Sequence, residues 1–143
     1  MKKLLGLCVC FIMLLMISCS EDSTDSQGSS DTGSSSHNTG KNCLGCHSFK
    51  VAGSIYNSEF STIYSGAKIK ITTSAYGSGT VLVNLSSDKT GNFYTNSSIS
   101  FGSGVYVCVI GSGGTLKYMT STITSGACNS CHNGTTTSKI WAE

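Results

Sequence analysis

The sequence contains no arginine and no proline, and only 11% of its residues are charged. All nine basic residues are Lys, against seven Asp and Glu, and blocks of like charge are absent. Lys2 and Lys3 fall in a segment expected to be removed, which leaves the rest of the chain neutral. Binding to nucleic acid or to an anionic membrane surface needs a clustered positive face, so the charge pattern excludes both. Without proline, the turns fall to Gly, Asn, Asp and Ser. A helical period is also missing after the N-terminal segment. The 143 residues suffice for one domain and not for two.

What is present begins with a targeting segment. Lys2 and Lys3 make a short positive region, and Leu4 to Ile17 is almost wholly apolar. A run of that length followed by small Ser18 reads as a secretory signal over residues 1–18, not as a membrane span. Met16-Ile17-Ser18-Cys19 resembles the lipobox of bacterial lipoproteins, which implies that Cys19 becomes the lipid-carrying first residue. An ordinary signal cut nearby is the other reading. Either way the protein is exported, and Cys8 and Cys10 are discarded. Residues 19–40 are rich in Ser, Thr, Gly, Asp and Asn and read as a flexible tether. Glu21-Asp22 resembles the acidic signal that sends some lipoproteins to the cell surface, which implies a lipid-anchored protein of the outer membrane or cell surface. A solvated acidic linker fits the same two residues.

From Val51 the pattern has period two. Ala67-Lys68-Ile69-Lys70-Ile71 alternates apolar with charged, as a half-buried strand does. Val81, Val83 and Leu85 alternate again, as do Val105, Val107 and Val109, and Leu116-Lys117-Tyr118-Met119 leads into a Thr-rich strand reaching Ile123. Turn signals lie between these runs, at Tyr76-Gly77-Ser78-Gly79, Asp88-Lys89-Thr90-Gly91, Gly102-Ser103-Gly104 and Gly111-Ser112-Gly113-Gly114. The expectation is an all-β fold, a β-sandwich of five to seven short strands. Ala52-Gly53-Ser54-Ile55-Tyr56, Ser65 to Ile71, Ser87 to Phe93, and Tyr106 with Cys108 resemble the regulatory-like domain of carboxypeptidases. That resemblance spans residues 51–124. It implies a transthyretin-like, Ig-like Greek-key sandwich that carries other parts and has no active site of its own.

Two motifs of one form flank this region: Cys43, Cys46 and His47 in residues 41–50, and Cys128, Cys131 and His132 in residues 125–143. In a helical turn, Cys-two-Cys puts both sulfurs on one side. Each thiol can then add across one vinyl group of a haem, and the following His is carried round to the iron. This is the c-type haem attachment signature, and two copies in an exported chain strengthen it. The expectation is two covalent haems c, one at each end of the sandwich. Three other readings use the same residues. The four Cys could bind one zinc, or form two local disulfides, or cross-link the termini. A thioredoxin-like redox motif needs a βαβ context that is lacking.

A haem c iron usually takes a second protein ligand, mostly His or Met. After removal of the signal, His37 is the remaining His and Met119 the remaining Met, so each is a candidate distal ligand. A solvated linker residue is the alternative for His37, and a core side chain for Met119. Cys108 alternates with valines and reads as a buried small hydrophobe. Lys41, Lys50 and Lys139 lie near the motifs and could neutralise haem propionates. The chain resembles small multihaem cytochromes of bacteria that exchange electrons across or outside their outer membrane. That resemblance implies an electron-transfer protein, not an enzyme, with redox partner proteins or an extracellular acceptor and possible self-assembly. A zinc- or disulfide-stapled surface module for binding or adhesion is the alternative.

Overall fold

The computed structural model describes residues 37–143. The expected signal, Cys19, Glu21-Asp22 and most of the tether lie outside the described residues.

The period-two segments form strands, and two sheets result. One holds β1 (Val51–Tyr56), β4 (Asn92–Thr95), β7 (Gly126–Ala127) and β8 (Ile140–Trp141). The other holds β2 (Lys68–Thr72), β3 (Val81–Ser86), β5 (Tyr106–Ile110) and β6 (Leu116–Tyr118), in the order β3-β2-β5-β6. Alternation decides which side chains face inward. Ile69 and Ile71 are fully buried while Lys68 is exposed. Register then aligns them in rows: Leu85, Ile69 and Val109 lie side by side, as do Val83, Ile71 and Val107. These rows share one core with Val51, Ile55 and Phe93 of the first sheet. Each such side chain contributes about 1.5–3 kcal/mol on burial. Cys108 points to the opposite face and is still only 1% exposed. The turn at Gly77 covers it: a Cβ built on Gly77 would stand 3.0 Å from the Cys108 sulfur.

The chain departs from the sequence expectation in two places. The Thr-rich stretch is not one strand. β6 ends at Tyr118, opposite Cys108; the Met119 N–H still reaches the Val107 carbonyl, and the next bridge, Val105 with Ile123, comes after two extra residues are looped out. The two Cys-two-Cys-His segments also do not sit at opposite ends of the sandwich. β7 and β8, which bracket the second motif, are integral to the first sheet, and the first motif leads directly into β1. Both motifs therefore lie against the same strand.

Candidate functional site

β1 explains how the second motif is held. One edge of β1 pairs antiparallel with β4. The other edge pairs in parallel with β7, Val51 opposite Gly126 and Ala52 opposite Ala127, and then with β8, Ile55 opposite Ile140 and Tyr56 opposite Trp141. Between β7 and β8 the chain leaves the sheet as a single helical turn, α1 (Cys128–Cys131), followed by a loop. The His132 N–H closes the turn on the Cys128 carbonyl at 2.9 Å. This departure leaves the Ser54 N–H without a strand partner, and the Asn129 side chain supplies one at 3.1 Å.

The loop and the second sheet enclose a cleft of about 490 Å³. Cys128, Cys131 and His132 line it, and Met119 stands on the same wall system with Ile123 and Trp141. Met119 is held just past β6 by its N–H bond to the Val107 carbonyl, 3.0 Å. The His132 ring is oriented by its Nδ1, 2.7 Å from the Ser138 carbonyl oxygen. A carbonyl only accepts, so Nδ1 carries the proton and the lone pair of the neutral imidazole lies on Nε2. That is the arrangement of a metal-binding His. Two cations stand at the cleft. Lys117 lies 3.8 Å above the Trp141 ring and pairs with Glu143 at 2.9 Å, and Lys139 lies 4.3 Å above the Tyr56 ring.

The first motif folds by the same hydrogen bond. Cys43–Gly45 forms a 3-10 turn, with the Asn42 carboxamide accepting from Leu44 N–H at 3.2 Å, and the His47 N–H meets the Cys43 carbonyl at 2.9 Å. His37 and His47 face each other with ring centroids 5.6 Å apart. His47 stacks on Phe49 at 4.8 Å, and Phe49 on Tyr94 at 4.4 Å. Both His residues are exposed, so this site is a surface ledge where the second is a cleft. The structure thus brings His37 to His47 and Met119 to the Cys128–His132 segment. Lys139 stands at the cleft, whereas Lys41 and Lys50 are exposed.

The thiols differ in character. Burial pushes the Cys128 thiol from 9.0 up to about 12, and nearby Cys131 and Cys43 add to the rise. Burial also raises Cys43. Cys46 and Cys131 are exposed. Among the described residues no three His, Cys, Asp or Glu side chains converge on a common metal position, so the four motif sulfurs are not gathered into a preformed Cys₄ site. With all four thiols free at pH 8, iodoacetamide should modify exposed Cys46 and Cys131 first and Cys128 last, since the thiolate is the nucleophile. A raised thiol pKa favours the folded state below pH 9, and that contribution is lost as pH rises towards 12. Peptide mapping against time and pH reads both effects; equal rates at all four sulfurs would contradict them.

Sequence reasoning did not find Asn129, Ser138, Lys117 or Trp141. Lys117 had only its charge as a local signal, and the roles of the other three arise from contacts across the fold. Compared with protein-family models, with curated proteins and with solved structures, the chain matches none.

Proposed function

We propose that this protein is an exported dihaem c-type cytochrome, a one-electron carrier and not an enzyme. The observation that carries the reading is the cleft: two thiols in a helical turn, an imidazole with Nε2 free and Nδ1 pinned to Ser138, and a thioether at the same walls. Its volume lies in the range of about 300–1,000 Å³ typical of cofactor sites, and its donor set suits a haem. Cys128 and Cys131 would hold the group by thioether bonds, each S–H adding across a vinyl C=C. His132 would bind the iron, with Met119 as the candidate distal ligand. Lys117 and Lys139 would meet the propionates. Cys43, Cys46 and His47 would hold the first haem, with His37 as the candidate distal ligand. Bound haem supplies reversible one-electron exchange between Fe(III) and Fe(II). The protein's own residues fix the ligands, keep water from the apolar walls of the second site and leave the first open to a partner.

The two-sheet architecture supports the carboxypeptidase-regulatory-like, transthyretin-like reading. The chain passes back and forth between sheets as Greek-key sandwiches do. In that reading the sandwich is scaffold and the motifs are cargo sites on β1. Cys19 would anchor the protein by lipid to the outer membrane or cell surface, with redox proteins or an extracellular acceptor as partners.

Expression in a host that matures haem c is expected to give two covalent haems per chain. Thioether bonds survive unfolding, whereas metal–ligand sites coupled to folding do not, so denaturing mass spectrometry counts them. Cys43→Ala with Cys46→Ala should leave one haem, on Cys128 and Cys131. Fractionation of the same cells, with Cys19→Ser as control, tests the anchor. A purified chain carrying zinc and no haem would support the stapled binding module instead.

A further inference from the structure

A buried polar joint connects the two motifs. Asn129 lies between Cys128 and Cys131 and is 3% exposed. Its Oδ1 accepts from the Ser54 N–H, and its Nδ2 donates to Ser54 Oγ at 3.0 Å and to the Lys41 carbonyl at 2.9 Å. Ser54 is itself buried; its Oγ accepts from the Gly40 N–H at 2.9 Å and donates to the Asn92 Oδ1. Both Nδ2 hydrogens are used, and no buried side-chain polar atom among the described residues is left unpaired. An amide placed in an apolar interior is costly unless it is satisfied in this way. Completing the β1 ladder needs only the Oδ1 bond. The bond to Lys41 does something else: it grips the chain two residues before Cys43.

α1 is a single turn, so it cannot shift without moving Asn129. The 3-10 turn of the first motif follows the gripped carbonyl directly. Both motif turns also pack on β1, so the Asn129–Lys41 bond adds a direct tie to the one made through the strand. We infer that Asn129 is a positioning residue that ties the two haem segments into one unit, so that the two haems titrate as an interacting pair. The inference rests on the haem loading proposed above.

When haem is bound, each iron would take one electron from a reductant such as dithionite and pass from Fe(III) to Fe(II), losing one positive charge. That charge acts on the other iron with a strength set by distance and by the medium between them. A fixed spacing gives a definite interaction, and a loose one averages it down.

The test is a cycle of potentials on the full haem-loaded chain. The midpoint of the second-site haem is measured with the first haem present and with it removed by C43A/C46A, in wild-type and Asn129→Ala backgrounds. Removing the first haem should shift the second midpoint in the wild type, and that shift should fall by at least about half in Asn129→Ala while both haems stay attached. Loss of stability alone does not change this difference. The same shift in both backgrounds overturns the inference. If Asn129→Ala does not fold, Ser54→Ala, which removes the bonds to Gly40, Asn92 and Asn129 Nδ2, enters the cycle in its place, with the same two outcomes. A wild-type chain that takes up no haem overturns the haem reading and the coupling together. The joint is then judged by amide exchange at Ser54, which should be about tenfold or more faster in Asn129→Ala; equal exchange removes the joint as well.

Discussion

In the dihaem protein proposed above, replacing Met119 by Ala should lower the midpoint potential of the second haem by on the order of 0.1 V, within the span that axial ligation sets. The iron should turn high-spin or water-bound at the same time. The thioether is a soft ligand that favours the reduced metal. Met119 is a candidate because its backbone is fixed at the end of β6 by the Val107 carbonyl and its side chain lines the cleft that also holds His132. It also packs against the core, so Ala removes apolar contact as well as sulfur. Met119→Leu separates the two effects. It preserves the apolar volume, at a cost of less than about 1.5 kcal/mol, yet supplies no ligand. Leu should therefore reproduce the spectral change and the lower potential while largely keeping the stability. His37→Ala should act on the first haem alone, since His37 faces His47. Spectra unchanged in all three variants would assign the distal positions to other groups and leave Met119 as core packing.

The parts of this molecule that could be read from the sequence are those set by neighbours along the chain. Ile69 and Ile71 against Lys68 and Lys70, and Val83 with Leu85, declare an inward face by alternation, and the sheets follow it. The motif turns are equally local, each closed by a bond from His N–H to the first Cys carbonyl. The rest depends on distant approach. β7 and β8 have two residues each, too few to show a period, and they exist because β1 offers an edge. Ser138 matters through a carbonyl, which no residue type announces. Asn129 fills a position that the Cys-two-Cys pattern leaves free, and its partners stand 75 and 88 residues away. The looped-out residues before Ile123 follow from Val105 pairing where Gly104 meets Thr122. The placement of both motifs on one strand is a property of topology, which the expectation of one site at each end could not contain.

Gly126→Ala should be strongly destabilising, because β7 runs against β1 with no room for a side chain. A Cβ there would collide with the Lys50 carbonyl oxygen and stand 2.6 Å from the Val51 Cα. These are backbone atoms at and just before the start of the central strand, and they cannot rotate away. Val51 is fully buried, and its partner across the parallel pair is Gly126 itself. Relief therefore requires β7 to separate from β1, and overpacking of this kind costs about 1–3 kcal/mol, more where the backbone is involved. Gly66→Ala is the control. Its φ is +77° and nothing lies within 4 Å, so the cost there is only left-handed strain of about 1–2 kcal/mol. Urea unfolding should rank Gly126→Ala below Gly66→Ala. The damage should also be directional. Cys128 begins α1 two residues after Gly126, so a displaced β7 carries the second attachment site with it and lowers haem occupancy there. The first segment is joined to α1 by the Asn129–Lys41 bond but also keeps its own 3-10 turn and the His47–Phe49–Tyr94 stack, so the proposed first site should lose less haem than the second. Equal loss of both haems would mean that the substitution acts through global unfolding, and a variant as stable as Gly66→Ala would mean that β7 is not held against β1 as described.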